Sequence, residues 1–363
     1  MKKNGLIKVL GKIFSGIDLP MLFFISMLLT FSLIVLYSAG GQSIYVVKKQ
    51  FFRIVLGFIV LIICAQVPAR FYYRMAPILY TLGVTLLILV LAIGYTSKGA
   101  QRWLNLGFMR FQPAEIMKIV VPSMTAYYLS NKNLPPKFKQ LAMALLITII
   151  PGYLIAKQPD LGTSILVVGS GLIVIFFSGI SYRLIGYAAI SFAVLAPISW
   201  SLLHNYQKER ILTLLNPESD PLGKGYHIIQ SKIAIGSGGY LGKGWLQGTQ
   251  SQLEFLPERT TDFIFAVLAE EFGLLGVTVL LSVYIIIILR GVYICKRMQT
   301  SFARLLAISL ILTFLIYLFV NIGMVSGILP VVGIPLPLFS YGGTSLLTIM
   351  ACFGIVFSLN KKY

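Results

Sequence analysis

The chain has 363 residues, of which 57% are hydrophobic and only 11% charged, with a mean hydropathy of +0.87. So few charges cannot cover a water-soluble surface, since globular domains carry about 25%, and this excludes a soluble two-domain enzyme, a disordered chain and a disulfide scaffold. Thirty Lys and Arg stand against eleven Asp and Glu, net +19; because the bases lie between long apolar runs, they read as orienting and lipid-facing charge, with no nucleic-acid partner implied.

In chain order, residues 1–18 form a basic segment carrying Lys2, Lys3, Lys8 and Lys12. Leu6, Leu10, Ile13 and Ile17 share one helical face, which suggests a short interfacial helix on the cytoplasmic side. A bilayer core of about 30 Å takes about 20 helical residues. Runs of about that size cover Leu19–Ala39, Phe51–Val67, Ala76–Tyr95, Pro113–Leu129, Leu141–Ala156, Leu161–Phe177, Leu184–Leu203, Phe263–Leu289, Phe302–Val325 and Tyr341–Leu359. The expected fold is an all-α polytopic membrane protein, a single domain over 1–363 with about ten transmembrane helices. A cytoplasmic N-terminus places sixteen Lys and Arg on inner segments and seven on short outer ones, which puts both termini inside. One large extracytoplasmic loop, residues 204–262 (His204 to Asp262), then joins the seventh and eighth spans. It holds six cations and six acids, and loops this long are usually functional. Ile228, Ile229, Ile233 and Ile235 predict a short amphipathic helix inside it.

Neither Cys64, Cys295 and Cys352 nor the two histidines, His204 and His227, show metal-ligand spacing, so no metal site is assigned. The carboxylates are more informative. Six of the eleven lie in the long loop; Asp18 starts the first span, and Glu115, Asp160, Glu270 and Glu271 remain. Glu115 and Lys118, three residues apart, share a face of the fourth span, either as a self-neutralising pair or as the lining of a substrate cavity. Asp160 follows Gln158-Pro159 as Glu115 follows Gln112-Pro113-Ala114, and either caps the sixth span or belongs to a site. Asp262 starts the eighth span, so three even-numbered spans begin with an acid on the outer face. Glu270 and Glu271 lie deeper and call for partners, one of them on a neighbouring helix. Gly236–Gly244 fails the Walker pattern and reads as a tight turn whose amides, with Lys243, are open to an anion. Pro330, Pro335 and Pro337 before Ser340–Ser345 mark non-helical backbone at a span entrance, which needs shelter.

These features suit either a transporter or flippase or an enzyme acting at the outer surface on a lipid-linked substrate. Acids at outer helix starts favour the enzyme. Gln112–Lys118, Gln158–Thr163, Asn216-Pro217, Asp220-Pro221, Tyr226–Ser231, Thr261–Phe265 and Pro335–Ser345 together resemble the SEDS family (shape, elongation, division and sporulation), in the family's order along nearly the whole chain. Ser251–Arg259 is closer to its elongation branch than to its division branch. The resemblance implies a peptidoglycan glycosyltransferase in the bacterial cytoplasmic membrane. Its substrate is lipid II, an undecaprenyl-diphosphate-linked disaccharide-pentapeptide; the alternative is a lipid II flippase. Its implied partners are a class B penicillin-binding protein (a transpeptidase) and other membrane proteins of the elongation machinery. The resemblance maps the essential acid onto Asp262, the Glu/Lys pair onto Glu115 and Lys118, the QPD acid onto Asp160 and the GxxRW arginine onto Arg102, in Gly99–Trp103. Thr260 stands where members often have His.

The chemistry expected is a general-base role for Asp262 toward a sugar hydroxyl, with cations meeting the diphosphate. Arg102 and Lys118 are the first candidates, with Arg210 and Lys243 behind them. A helix N-terminus keeps Asp262 ionised but makes it a weaker base; a divalent cation (Mg or Mn) between carboxylate and diphosphate would relax that tension.

Overall fold

The computed structural model describes residues 16–97, 100–105, 110–181, 205–219, 223–256 and 258–361, with 186, 187, 190 and 194 between. Nine of the ten apolar runs coincide with a helix: α1 (Leu19–Ala39), α2 (Ile44–Gln66), α3 (Ala69–Ile93), α4 (Pro113–Ser130), α5 (Phe138–Lys157), α6 (Leu161–Phe177), and, after the long connection, α10 (Ile264–Lys296), α11 (Ser301–Val325) and α12 (Thr344–Leu359). The expected N-terminal interfacial helix and most of the seventh run lie outside the described residues. Five helices, α1, α3, α5, α10 and α11, are long and apolar enough to cross a membrane by length and composition. With the apolar α6 and α12 beside them, the chain is a mainly helical, multi-pass membrane protein.

Burial ranks the helices. In α11, 67% of the most apolar stretch is buried, against 22% in α3. Thus α11 forms the centre of the bundle, packed against α4, α6, α10 and α12. Apolar residues exposed on the outer helices, such as Phe51, Phe52, Ile78 and Phe176, have the character of a lipid-facing surface.

The all-α expectation needs one correction. Tyr95–Ser97 (β1), Ala100–Asn105 (β2) and Arg110–Phe111 (β3) form a three-stranded antiparallel sheet between α3 and α4. Once α3 ends at Gly94, this backbone still needs partners, and ladder pairs such as Thr96 with Gln101 and Leu104 with Phe111 provide them.

The described residues of the connection from residue 205 to α10 are structured. It contains α7 (Asn205–Leu215), α8 (Lys224–Ser237) and the single turn α9 (Thr249–Gln252). The isoleucines that predict an amphipathic helix lie in α8, where Ile228 is buried and Ser231 donates to Val325 O at 2.8 Å. Trp245 Nε1 donates to Ile34 O at 3.2 Å and Gln252 Nε2 to Ser38 Oγ at 3.2 Å, tying the segment to the end of α1.

Its firmest attachment is to a break in α10. Gly273 there has φ +60° and ψ −159°, a conformation essentially restricted to glycine. A continuous helix would bond Leu274 N and Leu275 N to Glu270 O and Glu271 O. Instead Leu274 N and Leu275 N donate to Gly239 O and Tyr240 O at 2.9 and 3.1 Å, and the carbonyls of Glu270 and Glu271 accept from Lys243 N and Gly244 N, both at 3.0 Å. The four groups released by the break are all recovered by one turn of the loop. Gly242 lies so close to this seam that a Cβ there would strike Glu271 O.

Candidate functional site

Asp262 lies two residues before α10, and the helix is capped by Phe263 without a side-chain bond. It is half-buried. Its backbone is held from two sides. Asn321 Nδ2, on α11, donates to Asp262 O at 2.9 Å and to Ile334 O at 2.7 Å. Ser340 Oγ donates to Thr261 O at 2.5 Å, and Tyr341 N to Thr260 O at 2.8 Å. The irregular 330–343 segment, expected to need shelter, therefore packs against the residues that carry Asp262. Gly333, with φ +74°, comes so close that a Cβ there would lie 3.5 Å from Asp262 Oδ2. His227 of α8 stacks on Phe263, ring centroids 5.7 Å apart.

The same segment reaches Asp160. An added Cβ at Gly162 would meet Val332 O at 3.1 Å and Ile334 Cγ1 at 2.9 Å, so residues 332–334 lie between the start of α6 and Asp262. Asp160 both caps and belongs to a cluster. Its Oδ1 accepts from Thr163 N at 3.3 Å, and its Oδ2 from Gln112 Nε2 at 2.9 Å. Arg102 Nε lies 3.8 Å from Oδ2, and the same guanidinium donates to Pro159 O and Gln158 O. The two Gln-Pro motifs thus meet, with Arg102 of β2 on their partly open side.

One turn into α4, Lys118 Nζ donates to Glu115 Oε1 at 2.6 Å, and both residues are buried. Lys118 also lies 5.1 Å over the Tyr317 ring. Thr313, Tyr317 and Asn321 follow one another at four-residue spacing along α11, so one polar stripe runs from the Glu115–Lys118 pair up to the backbone of Asp262. A cavity of about 20 Å³, lined by Lys118, Thr313, Tyr317, Thr348 and Cys352 among others, adjoins the pair. It has room for one water.

Two of the expected anion contacts are engaged otherwise. Lys243 Nζ donates to Glu270 Oε1 at 2.8 Å and to Thr249 Oγ1 at 2.8 Å, so it fastens the loop to α10. The amides of Gly242, Lys243 and Gly244 are consumed by Gly238 O and the two carbonyls freed in α10, and the turn is not an open anion nest. Glu271, as anticipated for one of the deep acids, bonds a neighbouring helix: Ser38 Oγ of α1 donates to it. Cys295 is buried within α10. Arg210 falls on α7, its side chain outside the described residues.

Against known proteins, the FtsW/RodA/SpoVE cell cycle protein family matches residues 15–363. The chain is 56% identical over 345 residues to the peptidoglycan glycosyltransferase MrdB of Escherichia coli K12, covering 95% of this chain and 93% of that one. It is 38% identical over 349 residues to MrdB of Helicobacter pylori 26695, covering 94% and 89%. Among solved structures it superposes with a TM-score of 0.83, at 31% identity and 95% and 97% coverage, on a chain from a study of how a peptidoglycan synthase complex coordinates polymerization and crosslinking. The Thermus thermophilus rod shape determining protein RodA gives 0.72 at 26% identity, covering 95% and 96%. With the motifs in order and the helices in place, the chain belongs to the FtsW/RodA/SpoVE family of cell cycle proteins.

Proposed function

We propose that this chain is a peptidoglycan glycosyltransferase of the elongation branch, polymerising lipid II at the outer face of the bacterial cytoplasmic membrane. In this reading the bundle has about ten spans with both termini inside, and the end carrying Asp262 faces outward. The observation that carries the chemistry is the mounting of Asp262. Its main chain is fixed by Asn321 and its neighbours' by Ser340 and Tyr341, which leaves a half-buried carboxylate at the rim of the bundle.

Asp262 takes the proton from the acceptor sugar's hydroxyl as that oxygen attacks the donor's anomeric carbon. The leaving diphosphate gathers charge that a cation must meet, and Arg102, half-open on the Asp160 side, is placed for that. Lys118, buried against Glu115, sets the interior of the site. Three or more His, Cys, Asp or Glu side chains do not cluster among the described residues; a Mg or Mn ion at Asp262 would take its other ligands from the diphosphate and water. A class B penicillin-binding protein would crosslink the strands as they emerge, in keeping with the synthase-complex likeness.

The test is purified protein with lipid II, with and without the transpeptidase, read as glycan length on a gel. Asp262→Ala and Asp262→Asn should lose polymer by at least about a hundredfold, in the range of a lost general base, with unchanged melting in detergent. Wild-type polymer from either variant would defeat the assignment. Lipid II movement across vesicles without polymer would favour the flippase instead.

A further inference from the structure

At the end of the bundle opposite Asp262 lies a recess of about 750 Å³. It forms where α3 and α11 begin and α10 and α12 end. Asp18, Arg70, Arg290, Tyr293, Arg297 and Lys361 supply its polar wall.

Four cations here face one carboxylate, and that carboxylate is already engaged. Arg290 holds Asp18 in a fork, Nε to Oδ1 at 3.0 Å and Nη2 to Oδ2 at 2.8 Å. Among the described residues, no carboxylate pairs with Arg70, Arg297 or Lys361. Arg297 stacks 4.2 Å over the Tyr293 ring and donates to its hydroxyl. Lys361 Nζ donates only to the neutral Gln66 Oε1, at 2.9 Å, and burial pushes its ammonium below the ordinary lysine value. An anion beside it would reverse that shift.

A second recess of about 280 Å³ adjoins the first, sharing Ala69, Arg70 and Thr300 and running on to Phe302 and Tyr73. Arg70 therefore stands between two lobes. Apolar side chains (Ile294, Met298 and Leu359) line the first lobe together with the cations. Cationic pockets with apolar walls at helix ends suit a phosphate carrying acyl chains better than a free anion.

We propose that this recess binds the phosphate headgroup of an anionic glycerophospholipid from the leaflet on that side. The proposal goes beyond the polymerase reading and does not depend on it.

The experiment uses the full chain, exchanged from detergent into dioleoyl phosphatidylglycerol, tetraoleoyl cardiolipin or dioleoyl phosphatidylethanolamine, or given inorganic phosphate alone. Retained lipid is counted by native mass spectrometry. Either anionic lipid should be retained over phosphatidylethanolamine. The triple variant Arg70→Gln/Arg297→Gln/Lys361→Gln should cut that preference about a hundredfold, from the usual contribution of three cations near a lipid surface. Its lipid-free melting and its polymer yield in detergent should stay as wild type. The control Lys132→Gln/Lys137→Gln/Lys139→Gln removes three exposed cations from the α4–α5 connection and the first turn of α5 and should leave the preference intact. Equal loss in both variants would reduce the effect to general surface charge and overturn the site. No preference for anionic lipid, or displacement of the lipid by millimolar phosphate, would overturn the lipid assignment.

Discussion

Glu115 and Glu270 are buried acids that each hold a lysine, and the two pairs do different work. Lys118 stays in α4 beside Tyr317, where it shapes the interior beneath Asp262. Lys243 reaches across from the loop to a carboxylate with no exposed surface, whose Oε1 also accepts from Thr249 Oγ1 at 3.1 Å and Gln250 N at 2.9 Å. Removing one partner of such a pair strands a buried charge, at a cost of about 3–5 kcal/mol. Lys243→Met should therefore lower the melting temperature in detergent, and adding Glu270→Gln should recover part of the loss. KM for lipid II in the folded fraction should not change. An unchanged melting curve with a raised KM would return Lys243 to the role of phosphate ligand. The acids at helix starts were legible in the sequence because eleven carboxylates in so apolar a chain stand out. Asn321 and Tyr317 were harder to see. Their signal, Thr313-x3-Tyr317-x3-Asn321 in an otherwise apolar span, is a polar stripe that acquires meaning only once α4 and α11 are known to face each other.

Among the elements, α10 and the loop before it form a single interlocked unit. The sequence pattern marks Gly236–Gly244 as a turn, which it is, but not the use of its amides. Their acceptors, Glu270 O and Glu271 O, lie about 27 residues downstream and become available only because α10 breaks at Gly273. Gly273 is one of three scattered glycines in a 33-residue apolar helix and gives no such warning, since an isolated glycine is usually tolerated there. The sheet at Tyr95–Phe111 was missed for a related reason. Its strands are two to six residues long, and hydropathy counted over spans of twenty averages them away. Gly273→Ala tests the splice. The backbone strain alone costs about 1–3 kcal/mol, and the new methyl group would meet Gly242 N and the carbonyl carbons of Tyr240 and Leu241. Limited proteolysis should then cut within residues 238–256 at least tenfold faster than in wild type, by the conversion of 1.4 kcal/mol per decade. An unaltered cleavage rate would mean that the seam does not hold the loop. Because the loop ends at Asp262, polymer yield should fall with the loss of protection.

For the molecule as a whole, the charge excess divides between two ends. At one end Arg70, Arg290, Arg297 and Lys361 gather around a single engaged acid. At the other, the acids Asp160, Glu254, Glu258 and Asp262 accompany Arg102 and Arg259; there Arg102 lies 3.8 Å from Asp160 and Arg259 2.9 Å from Glu254. Basic excess in short connections selects the cytoplasmic side during insertion, so the Arg70 end should face inward and the Asp262 end outward. Cysteine labelling reads this directly. The native Cys295 is buried and Cys64 and Cys352 are only partly exposed, so replacing all three with Ala or Ser leaves a silent background. Tyr240→Cys, at a position 81% exposed, should react in intact spheroplasts with a maleimide that cannot cross the membrane. Ser301→Cys, exposed at the start of α11, should react only after permeabilisation. The reverse pattern would invert the molecule, place Asp262 in the cytoplasm and remove it from any acceptor strand outside. Both sites reacting before permeabilisation would mean that the two ends do not lie on opposite faces, which an α10 and α11 running the full thickness of the bilayer forbid.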